Sequence, residues 1–183
     1  MTMFRIRVAF RLVSIVCVCS ISACSPDRTS SVAAPPPPPS TTQTQDSCRV
    51  SLIADGDTFD CIGVGRVRFI GIDAPEMGQT PFGAQARAEL SRIMPVGTTV
   101  RLTRDISDKD VYGRRLAYVW QDAVLMNEML VNRGFALSAR YPPDTAKIVA
   151  LRAAETHARS TNAGLWAIGG FDCTPRDWRQ GEC

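Results

Sequence analysis

Acidic and basic side chains that could hold a cation and a phosphate occur in three short stretches of the sequence. They are Asp55-Gly56-Asp57, Ile72-Asp73-Ala74-Pro75-Glu76 and Tyr112-Gly113-Arg114, with a further arginine at position 68. Carboxylate oxygens suit a hard cation such as Ca²⁺, with main-chain carbonyl and water oxygens completing the shell. The forked donors of arginine suit phosphate oxygens. The sequence therefore predicts a metal and phosphate site, provided that the fold brings these stretches together.

Simpler roles exist for the same acids. Asp55 could be a turn former whose carboxylate accepts backbone N–H groups. Asp57 and Asp73 could be solvated strand ends, and Glu76 could be an acid near a helix start. An EF-hand is excluded, because the stretch around Asp57 has its glycine in the wrong place and lacks the distal glutamate.

The elements that must position these residues can be read from the hydrophobic pattern. Two β-rich segments, 49–54 and 58–64, flank Asp55-Gly56, a dipeptide favoured in hairpin turns. A third strand is predicted to follow at 66–72, so that Arg68 lies within it and Asp73 ends it. The segments 98–104 and 116–120 also read as strands, separated by a polar stretch interpreted as a solvated turn.

Helical spacing of apolar residues predicts helices at 82–94, 126–133 and 146–160. The first stops at Pro95 and the second is capped by Gly134. Five short strands with interspersed helices predict an α+β fold, in which a small closed β-barrel has about three helices packed outside.

The N-terminus predicts export. Residues 1–24 contain three arginines, an apolar run and the ending Ile21-Ser22-Ala23-Cys24, which resembles a bacterial lipobox with Cys24 as the lipidated residue. An uncleaved anchor or simple secretion is the alternative. The expected organisation is a signal peptide at 1–24, a tether rich in Pro, Ser and Thr at 25–47, a folded domain at 48–170 and a tail at 171–183.

The charge balance limits how such a protein could bind nucleic acid. The chain has 21 basic and 18 acidic residues, and loss of the signal removes Arg5, Arg7 and Arg11 and leaves the two signs equal. A near-neutral protein is weakly steered toward a polyanion, so binding would depend on local arginines and bound cations.

The cysteines after Cys24 are even in number, as expected for an oxidising compartment: Cys48, Cys61, Cys173 and Cys183. Three pairings are possible. The predicted hairpin brings Cys48 near Cys61, which leaves Cys173 with Cys183 and makes the tail a disulfide-clipped cap, with Trp178 over the barrel. A zinc site is disfavoured because no C-x-x-C spacing occurs.

Three motifs together resemble the staphylococcal nuclease (thermonuclease) family, in the same order from about Val50 to Trp166. They are 54-ADGDT-58, 68-RFIGIDAPE-76 and 110-DVYGRRLAY-118. The resemblance implies a five-stranded OB-fold barrel.

The resemblance also implies a role for each site residue. Asp57, Asp73 and the main-chain oxygen of Ala74 match Ca²⁺ ligands, and Asp55 matches an acid in the outer shell. Glu76 matches the residue that orients or deprotonates the attacking water. The remaining matches concern the substrate: Arg68 and Arg114 for the scissile phosphate, and Tyr112 and Tyr141 for the nucleotide.

The implied activity is a Ca²⁺-dependent phosphodiesterase, an endonuclease that cleaves DNA and RNA with little sequence specificity, prefers unpaired strands and leaves 3′-phosphates. A monomer anchored to a membrane through Cys24, facing the periplasm or the cell exterior, is expected. The alternative is a non-catalytic nuclease-like OB-fold module that binds oligonucleotide or a protein partner, and a third possibility is that Ca²⁺ serves only structure. Degenerate domains of this kind lose ligands or arginines, whereas this sequence has all of them.

Overall fold

The structure is a computed structural model that describes residues 46–183. The predicted signal peptide, the lipidation site Cys24 and nearly all of the predicted tether lie outside the described residues.

The described chain contains eight strands and four α-helices. The strands are β1 Asp46–Ile53, β2 Thr58–Cys61, β3 Gly65–Phe69, β4 Ile72–Asp73, β5 Thr99–Thr103, β6 Arg115–Gln121, β7 Val124–Leu125 and β8 Leu137–Ser138. The helices are α1 Phe82–Ile93, α2 Met126–Asn132, α3 Ile148–Ser160 and α4 Pro175–Gln180, with a 3₁₀ helix at Gly164–Ile168. None of these helices is both long enough and apolar enough to cross a membrane.

Five of the strands close into a barrel. The antiparallel order is β3-β2-β1-β5-β6, and β3 then pairs in parallel with β6 to shut the ring. The long strand β1 pairs with two strands: its second half pairs with β2 and its first half with β5. This arrangement confirms the predicted α+β class and the five-stranded OB-fold barrel.

The chain between β3 and β4 differs from the prediction of one continuous strand at 66–72. It turns at Ile70 and Gly71, where Gly71 has a φ of +76°, in the left-handed region that favours glycine. Asp73 therefore does not end β3. It lies on the short strand β4, which pairs with β8, and the turn lets the chain fold back over Arg68.

The barrel interior is filled by residues from the strands and from three helices. The rings of Phe59 and Phe69 pack with centroids 5.4 Å apart, and Leu90, Leu130 and Leu151 bring α1, α2 and α3 onto the same core. Burial of such side chains contributes about 1.5–3 kcal/mol each. This shared core holds the surrounding loops in fixed positions.

One buried polar residue links a helix to the turn after β3. Asn127, at the start of α2, accepts a hydrogen bond from the N–H of Val119 (2.9 Å) and donates one to the carbonyl of Ile70 (2.8 Å). Because its side chain is fully buried, both bonds are needed to offset its desolvation. The turn that leads to Asp73 is thus anchored from inside.

Two disulfides close local loops. Cys48 pairs with Cys61 across the first hairpin, and Cys173 pairs with Cys183 around α4. Trp178 of α4 lies against Gly78 in the loop between β4 and α1. The tail is therefore a folded helix attached to this loop.

Candidate active site

A cavity of about 550 Å³ lies where the first hairpin turn, the β3–β4 segment and the β5–β6 loop meet. Every residue predicted for metal, catalysis or substrate lines it: Asp55, Asp57, Arg68, Asp73, Ala74, Glu76, Tyr112, Arg114 and Tyr141. The structure thus brings together residues from distant parts of the chain.

Asp57 and Asp73 form the buried acidic wall of the cavity, with only 6% and 5% of their surface exposed. Asp57 Oδ2 accepts the N–H of Ala74 at 2.7 Å, which ties the first hairpin to the segment after β4. Burial raises the pKa of Asp57 to about 7, although the charge of Arg68 opposes this rise.

Gly56 allows this close approach. A Cβ at position 56 would lie 2.6 Å from Ala74 Cβ and 2.7 Å from Ala86 Cβ, closer than real Cβ contacts come. Gly56 is not among the described glycines with positive φ, so the residue is required by space and not by turn conformation. The small side chains at 74 and 86 complete the fit.

Asp55 has the turn-forming role that its sequence position allowed. Its Oδ1 accepts the N–H of Asp57 at 3.0 Å, and its charge adds to the rise in the pKa of Asp57. Asp55 therefore fixes the backbone of the neighbouring acid from the edge of the cavity.

Arg68 joins the two buried acids. Its Nη2 lies 3.0 Å from Asp57 Oδ2 and 3.2 Å from Asp73 Oδ1, and its Nη1 donates to the carbonyls of Phe69 and Ile72 at 3.0 Å each. A single cationic nitrogen is thus shared by one oxygen of each acid. The same guanidinium also holds the turn between β3 and β4.

Glu76 lies at the mouth of the cavity with 40% of its side chain exposed. Its N–H donates to Gln79 Oε1 at 2.8 Å, and Gly83, in the first turn of α1, packs directly on its carbonyl. The backbone of Glu76 is therefore held at a fixed place, and its carboxylate remains within reach of solvent.

Arg114 is positioned by an acid that the sequence interpretation treated as part of a solvated turn. Arg114 Nε donates to Asp110 Oδ2 at 2.6 Å, and Asp110 Oδ1 accepts the N–H groups of Tyr112 and Arg114. Burial acts to raise the pKa of Asp110, but the bonds from Arg114 more than offset it, so this pKa lies below its ordinary value. The Arg114 guanidinium lies 5.4 Å from the centre of the Tyr112 ring.

The two tyrosines border the cavity from different loops. Tyr112 is 82% exposed in the β5–β6 loop. Tyr141, half exposed, follows β8, whose pairing with β4 keeps it near Asp73. Burial, and then the nearby charge of Asp73, raises the pKa of Tyr141. Both rings offer apolar faces to a ligand in the cavity.

The sequence interpretation missed Arg179. This residue of α4 lines the cavity, with Nη2 2.8 Å from Asp73 Oδ2 and Nη1 2.7 Å from Glu76 Oε1. The hydrogen bond to Asp73 raises the pKa of Arg179 above its ordinary value, and the bond to Glu76 adds to this rise. The side chain therefore stays charged. The stretch Thr174-Pro175-Arg176-Asp177 carries the signature of a capped helix start, but nothing in it indicates where the helix would dock.

The acidic side chains of the cavity supply part of a binding shell for a hard divalent cation. Among residues 46–183, no group of three or more His, Cys, Asp or Glu side chains is arranged to hold a metal ion. The protein would supply the carboxylates of Asp57 and Asp73, which already share one cationic nitrogen, and oxygens from the main chain and water would complete the shell. An all-oxygen donor set of this kind suits Ca²⁺ rather than a softer metal.

Comparison with known proteins decides the family. A profile of the family described as staphylococcal nuclease homologue matches residues 66–168, more than half of the chain. The chain belongs to the staphylococcal nuclease family. Relatives in this family include a thermonuclease from Staphylococcus intermedius, 33% identical over 129 residues that cover 66% of this chain and 76% of the relative.

Two further relatives have similar identity and coverage. An uncharacterized endonuclease from Haemophilus influenzae is 35% identical over 142 residues, 75% of each chain. A thermonuclease from Staphylococcus hyicus is 31% identical over 127 residues, covering 65% of this chain and 75% of the relative. The staphylococcal nuclease profile ends at residue 168, so Arg179 and the disulfide around it lie outside the matched range.

Proposed function

We propose that this protein is a Ca²⁺-dependent nuclease, an endonuclease that hydrolyses DNA and RNA with little sequence specificity and leaves 3′-phosphates. The observation that carries the proposal is the shared contact of Asp57 and Asp73 with one nitrogen of Arg68, in a cavity that also contains Glu76 and Arg114. Relatives named thermonuclease and endonuclease support the reaction class.

Asp57 and Asp73 would hold the cation, together with the main-chain oxygen of Ala74. When bound, the cation would polarise a phosphoryl oxygen and help to position water. Arg68 and Arg114 would donate to the oxygens of the scissile phosphate, and these donors act most strongly on the charge that develops in the transition state.

Glu76 would orient the attacking water and accept its proton. Its carboxylate lines the cavity beside Asp73 and keeps partial access to solvent. A general base needs only to be ionised at the working pH and to reach the water within hydrogen-bond distance.

Tyr112 and Tyr141 would bind the bases that flank the cleaved bond. Their exposed rings border the cavity on two sides, and stacking on aromatic rings is tolerant of base identity. Unpaired strands offer free base faces, so single-stranded DNA and RNA would be preferred over a regular duplex.

We also propose that the protein is exported and anchored to a membrane by lipid on Cys24. The two disulfides of the described residues support an oxidising compartment. Labelling with a palmitate analogue tests the anchor: the unchanged chain should incorporate label, and Cys24→Ala should not.

The nuclease proposal is tested by incubating the purified protein with single-stranded DNA, RNA and plasmid in Ca²⁺, in Mg²⁺ and in EDTA. Hydrolysis in Ca²⁺, its loss in EDTA and phosphatase-sensitive 3′ ends would support the proposal. Glu76→Gln should lose activity by at least about 100-fold, whereas Glu128→Gln, away from the cavity, should not. Undiminished cleavage in EDTA would reject the role of the metal. Tight oligonucleotide binding without cleavage would favour the non-catalytic module.

A further inference from the structure

The C-terminal helix α4 places a third guanidinium in the candidate active site. Arg179 makes a two-pronged contact with Asp73, at 2.8 Å from Nη2 to Oδ2 and 3.1 Å from Nη1 to Oδ1. The same Nη1 donates to Glu76 Oε1 at 2.7 Å. One residue of the tail thus engages both a proposed metal ligand and the proposed base.

The tail is fixed to the domain at several points, so the position of Arg179 does not depend on its charge alone. The Cys173–Cys183 disulfide closes the segment that contains α4. Gln79, buried in the loop after Glu76, donates to the carbonyl of Cys173 at 3.0 Å. Trp178 packs on Gly78 of the same loop.

The helix itself has well-defined ends. Thr174 accepts the N–H of Asp177 as an N-cap, Pro175 occupies the first turn, and Gly181 ends the helix in the left-handed conformation. These features stabilise a helix too short to form in isolation. Arg179 is therefore presented to Asp73 by an ordered element.

The position of Arg179 on Asp73 brings its positive charge close to any cation that binds there. A divalent cation held by Asp57 and Asp73 would meet two guanidiniums on its own ligands: Arg68 between the two acids and Arg179 on Asp73. Like charges at such distances repel. The cation must either share Asp73 with Arg179 or displace it, and both alternatives weaken binding.

We infer that Arg179 is a tethered counter-cation that holds Asp73 and Glu76 and thereby lowers the affinity of the site for divalent cations. This inference rests on the proposed Ca²⁺-dependent function and deepens it. The C-terminal tail, outside the family match, would then set the Ca²⁺ concentration at which the enzyme becomes active. The Cys173–Cys183 disulfide would contribute to this effect by holding Arg179 in place.

Direct calorimetric titration of the full mature protein with CaCl₂ tests the inference without any activity measurement. Arg179→Gln should lower the Kd for Ca²⁺ by at least about fivefold, because a charge-assisted hydrogen bond no longer competes for Asp73. Arg176→Gln is the matched control: it removes the same charge from the same helix at an exposed position away from the cavity, and its Kd should stay near that of the unchanged protein.

Two further variants test the fixed position of the tail. Arg179→Lys keeps the charge but loses the pair of guanidinium donors to Asp73. Its Kd for Ca²⁺ should lie between those of the unchanged protein and Arg179→Gln. The double variant Cys173→Ser/Cys183→Ser opens the loop and should shift the Kd in the same direction as Arg179→Gln. Thermal unfolding in EDTA checks that each variant remains folded.

The outcomes separate the two proposals. If the unchanged protein binds Ca²⁺ and Arg179→Gln binds it no more tightly than Arg176→Gln, the role of Arg179 is overturned and the metal site stands. If no variant binds Ca²⁺, the proposed metal-dependent function fails, and this inference fails with it. If only Arg179→Gln and the opened-loop variant bind, the inference is supported in its strongest form.

Discussion

Arg68 and Asp57 form an ion pair in the buried wall of the cavity, with Arg68 Nη2 3.0 Å from Asp57 Oδ2 and both side chains largely buried. A buried acid that loses its cationic partner is left with an uncompensated desolvation cost. The pair therefore contributes to stability as well as to the geometry of the site.

Arg68→Ala is expected to lower the free energy of unfolding by about 2–4 kcal/mol in the absence of Ca²⁺, since Asp57 loses its partner and the β3–β4 turn loses two hydrogen bonds. Urea denaturation in EDTA measures the loss, and added Ca²⁺ should restore part of it. Arg66→Ala, on the same strand, removes an exposed pair with Asp60 and should cost under about 1 kcal/mol. Equal losses for the two variants would contradict the prediction.

Gly56→Ala is expected to destabilise the protein by about 1–3 kcal/mol, because the new Cβ must push Ala74 and Ala86 aside. It should also reduce nuclease activity, because the displaced Ala74 bonds to Asp57 through its N–H. Gly63→Ala is the control. Position 63 has a φ of +81° but open space around it, so it should cost only about 1 kcal/mol of backbone strain and leave activity unchanged. Thermal melts and initial rates on single-stranded DNA separate the two effects.

Asp110→Asn should reduce kcat/KM by about 10- to 100-fold while the fold stays intact, because Arg114 loses the carboxylate that fixes its guanidinium. Asp108→Asn makes the same chemical change on an acid that contacts Arg115 instead, and activity should be retained. The prediction fails if the two asparagine variants have equal kcat/KM.

Glu89 should give a pH-dependent contribution to stability. This acid is 9% exposed on α1 and bonds to Arg92 and to Arg133 near the end of α2. Its hydrogen bonds with Arg92, and then with Arg133, lower its pKa below the ordinary value of 4.5. The stabilisation is therefore complete above that ordinary value and is lost as the pH falls through the lower, folded-state pKa.

At pH 7, Glu89→Gln should lower the free energy of unfolding by about 1–2 kcal/mol. The difference from the unchanged protein should shrink toward zero as the pH is lowered below 4.5. Urea denaturation at pH 7 and at successively lower pH measures this. A difference that grew on acidification would show that Glu89 does not act through its ionised form.

Much of the site could be predicted because its residues lie in local patterns tied to strands. The hairpin at Asp55-Gly56 and the acids at 57 and 73 have positions that follow from strand register and motif. The break at Gly71 was missed because the alternation of residues continues through the turn. The turn depends on the positive φ of Gly71 and on the bonds from Arg68 to the carbonyls of Phe69 and Ile72, and the alternation specifies neither.

Arg179 could not be predicted in the same way. Its helix is short, and its place depends on contacts between Gln79 and Cys173 and between Gly78 and Trp178, which are remote in sequence. Asp110 was misread for a related reason. Its bonds to Arg114 span a loop whose conformation no local pattern specified.

The parallel pairing of β3 with β6 sets Arg68 opposite Leu116, directly after the loop that contains Arg114. The two arginines therefore become neighbours only at the step that shuts the ring of strands. A partly folded chain in which β3 and β6 are not yet paired would contain every site residue but would lack the assembled site. Nuclease activity should therefore appear only when the barrel closes.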